Sequence, residues 1–124
     1  MKGILKGMNL TLKHLFRKPI TLQYPHERRE IKRFRGMHVL DKEKCIACRL
    51  CEMTCPNNAI TIELKEGREK SRNIEDYNYI VDIGRCLWCG FCEEVCPRNA
   101  LMMTADYELS VYNKNELKIN LSGD

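Results

Sequence analysis

No apolar run in this chain approaches the roughly 20 residues that a membrane-spanning helix needs, which excludes a span on length alone. A secretory leader is not expected either. Residues 1–22 begin basic, but Lys13, His14, Arg17 and Lys18 interrupt any apolar segment. There is no glycine-rich phosphate loop, no HExxH pair and no nucleophile–base pair, so phosphoryl transfer, zinc-protease chemistry and acyl transfer have no residues to run on. The three histidines, His14, His26 and His38, stand at no ligand spacing with another donor and are expected to be non-ligands. With 124 residues, the chain is one domain at most, with arms.

Cysteine is abundant and ordered. All eight fall in two blocks, CIACRLCEMTCP at residues 45–56 and CLWCGFCEEVCP at residues 86–97. Each block reads C-x2-C-x2-C-x3-C-P, the run that ligates [4Fe–4S] clusters in bacterial-type ferredoxins. Thiolate is a soft ligand suited to sulfide-bridged iron. Three cysteines two residues apart wrap one loop around a cube, and the fourth leaves on a short helix to reach the other cube. The expected ligands of one cluster are Cys45, Cys48, Cys51 and Cys96; those of the other are Cys86, Cys89, Cys92 and Cys55. Four disulfides would need an oxidising compartment. Zinc ribbons use two separated C-x2-C pairs, not three equally spaced cysteines followed by C-P. Dithiol redox chemistry at a CxxC pair leaves the third and fourth cysteines without a role.

The blocks belong to an internal repeat. Residues 45–63 align with 86–104, matching the four cysteines, Glu52 with Glu93, Pro56 with Pro97, Asn58 with Asn99 and Ala59 with Ala100. Two halves of strand, loop, helix and strand that exchange their fourth cysteines make a unit with pseudo-twofold symmetry. Alternating apolar positions predict strands over 60–64 and 77–83, paired antiparallel across a polar loop. Residues 38–41 and 100–103 are a second expected pair. Pro56 and Pro97 turn the chain out of each helix. Gly90 is expected to let its loop approach a cluster closely. Ile46, Ala47 and Leu50 are expected around one cluster and Leu87, Trp88 and Phe91 around the other, excluding water. The fold class expected is α+β, the two-cluster ferredoxin fold. So small a core buries little apolar surface, and cluster ligation should supply much of the folding free energy.

Charge divides the chain. Residues 1–44 hold 12 Lys or Arg against 4 Asp or Glu, and residues 45–124 hold 9 against 13. A basic arm suggests nucleic acid, but no nucleic-acid motif accompanies it. A subunit interface or an anionic membrane surface suits an electron carrier better. Residues 3–18 predict an amphipathic helix with Ile4, Leu5, Met8, Leu12, Leu15 and Phe16 on one stripe and Lys2, Lys6, Lys13 and Arg17 opposite; Pro19 ends it. Such a helix lies in a membrane interface, docks on a partner, or packs on its own domain. Residues 19–38, with two prolines and dense charge, predict an extended arm. The expected organisation is an arm over 1–36, a cluster domain over 37–105 and a tail over 106–124. In the tail Leu109, Val111, Leu117, Ile119 and Leu121 follow no single period, suggesting an appendage or a surface packed on a neighbour.

The stretches CIACRLCEMTCPNNAITIE and RCLWCGFCEEVCPRNAL resemble the two-cluster ferredoxin-like subunit of respiratory complex I, whose relatives occur in F420H2 dehydrogenases and membrane-bound NiFe hydrogenases. The likeness continues through LTLKHLFRKPITLQYP, RFRGMHVL and DYELSVYNKNEL, and so covers nearly the whole chain. TLQYP and RFRG favour the complex I or F420H2 dehydrogenase branch. The resemblance implies a peripheral-arm subunit on the cytoplasmic side of the membrane, with no catalytic residue of its own. Its two clusters would carry electrons from an input module toward the cluster beside a quinone or hydrogenase-type site. Implied partners are neighbouring iron–sulfur subunits and a membrane-arm subunit, with residues 3–35 as the clamp. The alternatives are a hydrogenase or sulfur-reducing complex, or a diffusible ferredoxin, against which the basic arm counts.

Overall fold

The computed structural model describes residues 2–29 and 31–123; Met1, Glu30 and Asp124, which the arm and tail expectations include, lie outside the described residues. The chain divides into two units, Met1–Glu30 and Ile31–Asp124.

The first unit holds helix α1, Lys2–Leu15. It stops three residues short of the predicted end at Lys18. The ring of Pro19 disfavours helix before it, and the chain leaves through a turn closed by Arg17 N–H on the His14 carbonyl at 3.2 Å. Lys13 and His14 in the last turn face the negative end of the helix dipole. The predicted apolar stripe is present and exposed from Ile4 at 71% to Leu15 at 74%, and Phe16, also exposed, falls just past the helix end. Beyond α1 the chain makes a turn in which Glu27 N–H reaches the Gln23 carbonyl at 2.9 Å, and the Arg28 guanidinium sits 5.8 Å from the Tyr24 ring centroid. No helix among the described residues is long and apolar enough to cross a membrane.

The second unit is a small α+β fold of two antiparallel sheets and two short helices. Strand β1 (His38–Leu40) pairs with β4 (Leu101–Met103), Val39 opposite Met102. Strand β2 (Ile60–Leu64) pairs with β3 (Tyr77–Asp82), Ile62 opposite Tyr79. Both pairs are expected from the sequence, the second of them from alternation. A third partner joins the second sheet: β5 (Lys118–Asn120) lies antiparallel to β3, Val81 opposite Ile119. The tail thus supplies an edge strand. Its attachment is reinforced by Ser122, 5% exposed, whose Oγ accepts from Tyr79 N–H at 2.9 Å and donates to the Tyr77 carbonyl at 2.6 Å.

The core follows from the period-two pattern. Tyr77, Tyr79 and Val81 of β3 point inward and meet Ile60 and Ile62 of β2, with Ile74, Ile83 and Leu101 completing the cluster. Residues 36 and 37 are tied to the chain after β4. Gly36 N–H donates to the Thr104 carbonyl at 2.7 Å and Met37 N–H to the Asp106 carbonyl at 2.8 Å. A Cβ on Gly36 would fall 2.1 Å from the Asp106 carbonyl oxygen, so only glycine allows this approach.

Candidate metal centres

Each cysteine block opens with a loop and closes with a helix of about one turn, α2 (Leu50–Thr54) or α3 (Phe91–Glu94). Both loops use the left-handed region, and they use it at the same places. Ala47 has φ 49° and Trp88 54°; Arg49 has 63° and Gly90 84°; Asn58 has 48° and Asn99 47°. These are the pairs that the sequence repeat superposes. Alternating left-handed residues curl a loop so that successive cysteines face one centre. Asn tolerates that conformation, and Gly90 adopts it without penalty. Arg49 is held there by an ion pair with Glu52 at 2.7 Å. The other carboxylate oxygen of Glu52 accepts from Ile62 N–H at 3.2 Å, bracing α2 on β2.

The thiols border two separate hollows. Cys45, Cys48, Cys51 and Cys96 line the first, with Leu40, Ile46, Ala47, Leu50 and Tyr79. Cys55, Cys86, Cys89 and Cys92 line the second, with His38, Ile60, Leu87, Gly90 and Met103. Each hollow thus takes three thiols from one block and the fourth from the other. Ile46, Ala47 and Leu50 line the first hollow and Leu87 the second, although Leu87 is 63% exposed. Trp88 and Phe91 do not line the second hollow: the Trp88 ring stacks on His38 with centroids 5.5 Å apart, and Phe91 is 49% exposed.

The chemistry of the walls fits iron–sulfur clusters. None of the eight cysteines is in a disulfide. Among the described residues no three His, Cys, Asp or Glu side chains converge as a single ion would need; the thiols surround a space instead. Donors already point at sulfur. Ala59 N–H reaches Cys55 Sγ at 3.2 Å, Ala100 N–H reaches Cys96 Sγ at 3.2 Å, and Trp88 N–H reaches Cys86 Sγ at 3.4 Å. The Tyr79 hydroxyl donates to Cys51 Sγ at 3.1 Å. Burial raises the pKa of Cys45, Cys51 and Cys86 and pushes Cys92 up to about 12, so these thiols give up protons to a metal, not to water. Burial also acts upward on Cys96, but the N–H groups of Ala100, Arg98, Leu101 and Asn99 outweigh it and its pKa is lowered.

Sequence spacing gave no sign of His38. It is 1% exposed, lines the second hollow, and places Nε2 4.0 Å from Cys86 Sγ. Burial lowers its pKa, favouring the neutral ring. A lone histidine two residues after glycine carries no signal that it turns inward. Arg35, too, is brought to the second block by the fold alone: its guanidinium donates to the Cys89 carbonyl at 2.5 Å.

The 4Fe-4S dicluster domain family matches residues 44–100. The chain is 43% identical over 118 residues to NADH-quinone oxidoreductase subunit I 2 of Geobacter metallireducens, covering 91% of this chain and 88% of that one. It is 48% identical to subunit I 1 of Geobacter sulfurreducens over the same shares. With subunit I of Carboxydothermus hydrogenoformans it shares 42% identity over 96% of this chain and 84% of the relative. Among solved structures, a chain of an archaeal membrane-bound sulfane sulfur reductase superposes with a TM-score of 0.63 at 37% identity. That match covers 87% of this chain and 56% of the other. With such identity running through more than four-fifths of each of these three relatives, the chain belongs to the NADH-quinone oxidoreductase subunit I family.

Proposed function

We propose that this chain is the two-cluster electron-relay subunit of a membrane-associated, complex I-like oxidoreductase. The observation that carries this is the division of eight thiols between two hollows, three from one block and one from the other, in a chain of the subunit I family. Cys45, Cys48, Cys51 and Cys96 would hold one [4Fe–4S] cluster, and Cys86, Cys89, Cys92 and Cys55 the other. When bound, such clusters supply reversible one-electron storage. The protein does the rest: it holds both close together, walls them with Leu40, Ile46, Leu50, Ile60 and Leu87, and aims N–H groups at sulfur to set the potential. The matched left-handed positions of the two loops support a pseudo-twofold unit of two repeats.

In this reading residues 1–36 are the arm, 37–105 the cluster domain, and 106–124 the tail. The exposed stripe of α1 docks the chain at a membrane-arm subunit, on the cytoplasmic face and without crossing the bilayer. Neighbouring iron–sulfur subunits pass electrons in and out toward the cluster beside the quinone site. A second reading, a sulfur-reducing or hydrogenase complex, is favoured by the likeness to the sulfane sulfur reductase chain. Anaerobic purification of the native complex through this chain decides. About eight irons per chain, paramagnetic signals on reduction, and co-purifying quinone-site subunits are expected. Zinc in place of iron, or a monomeric protein without partners, would overturn the proposal.

A further inference from the structure

The two hollows each have one buried ring pointing a polar atom at a ligand sulfur. At the first it is Tyr79, 1% exposed, with its hydroxyl 3.1 Å from Cys51 Sγ. At the second it is His38, also 1% exposed, with Nε2 4.0 Å from Cys86 Sγ. These are not two accidents of packing. His38 stands seven residues before Cys45, and Tyr79 stands seven residues before Cys86, so the internal repeat superposes them. Each lies on the strand that enters its own block, β1 or β3, yet each serves the hollow that takes its first three cysteines from the opposite block.

His38 has nowhere else to place a proton. Its Nδ1 is buried and has no hydrogen-bond partner, the only such side-chain nitrogen or oxygen among the described residues. A ring proton on Nδ1 would be a donor left unmade in the core, which costs more than an unused lone pair. A proton on Nε2 points at the Cys86 sulfur. The stacked Trp88 ring, at an interplanar angle of 27°, holds the imidazole in that plane. Resting on the two-cluster function proposed above, we infer that His38 is the positioning donor of the second cluster: its Nε2–H hydrogen-bonds the Cys86 thiolate and raises that cluster's reduction potential, as Tyr79 does for the first.

The physical basis is that a donor to thiolate sulfur is worth more when the cluster has gained an electron, so it favours the reduced form. Phenol and imidazole differ in strength and reach, which helps separate the potentials of two sites whose cysteine spacing is the same.

The test is a redox titration of the purified complex followed by low-temperature EPR. His38→Phe keeps a ring against Trp88 and removes the donor. It should shift the reduction equilibrium of one cluster about tenfold toward the oxidised form, about 59 mV for one electron, and leave the other in place. His38→Gln, which keeps an N–H, should restore most of the loss, and Tyr79→Phe should move the other cluster instead. Unmoved potentials in His38→Phe at about eight irons per chain, equal shifts in both clusters, or no rescue by Gln would overturn the inference. Far fewer irons in the unaltered complex would overturn the two-cluster function itself. Should His38→Phe fail to load, the unaltered complex labelled with 15N-histidine decides: a weak imidazole coupling to a reduced cluster is expected, and its absence is fatal.

Discussion

Arg35 lies across Gly90, its guanidinium bonded to the neighbouring Cys89 carbonyl, so close that a Cβ on Gly90 would stand 3.0 Å from Arg35 Nε. Gly90 also has φ 84°, where any side chain is strained. Gly90→Ala therefore meets two penalties, about 1–2 kcal/mol for the backbone and the displacement of Arg35. We expect faster iron loss to a chelator, beginning with the second cluster. An unchanged rate would show that the loop has slack.

Ser122 holds the edge of β3 through both its donor and its acceptor. Ser122→Ala leaves Tyr79 N–H and the Tyr77 carbonyl without that partner in a buried place, at a cost of about 1–3 kcal/mol. Thermal denaturation of the loaded protein should show a lowered midpoint. Because Tyr79 also reaches Cys51, the first cluster should become the more chelator-sensitive of the two.

Cross-ligation makes a directional prediction. Cys96 sits in the second block but lines the first hollow. Cys96→Ala should remove the cluster of Cys45, Cys48 and Cys51 and spare the other, with iron falling from about eight to about four per chain. Cys55→Ala should do the reverse. Assigning the surviving EPR signal in the two variants checks it; loss of the block-two cluster in Cys96→Ala would refute the crossing.

Loading should depend on pH with a definite sign. At neutral pH these thiols are protonated before metal arrives, in the unfolded chain because a free thiol titrates above neutrality and in the fold because burial raises Cys45, Cys51 and Cys86 and pushes Cys92 up to about 12. Protons compete with iron for them, and loading releases protons. Anaerobic reconstitution should acidify an unbuffered solution and grow weaker as pH falls. Proton uptake on loading would contradict this. Stripping the iron should in turn collapse the circular dichroism of the fold, since the second unit packs around the two sites.

Much of this was legible in advance because it is local. The block spacing and the alternation in 60–64 and 77–83 depend on neighbours in the chain, and β2 and β3 follow them; the expected pairing of 38–41 with 100–103 also forms, although it joins residues 61 to 65 positions apart. The tail was not legible: its apolar residues keep no period because β5 is short and pairs through backbone groups, with Ile119 only partly buried. Trp88 was expected on a cluster and lies on His38. The ring stacks on a residue 50 positions away in the chain, a contact composition cannot convey.

The sequence by itself determined that eight thiolates in two repeated blocks would gather soft metal, because ligand type and spacing are written residue by residue. Only the tertiary structure decided which distant groups brace the two sites: the buried rings of His38 beside Cys86 and Tyr79 on Cys51, the exposed Arg35 over Gly90, and Ser122 on β3. Those contacts join residues 28 to 55 positions apart, and their geometry comes from strand register and core packing, which no single stretch of chain contains.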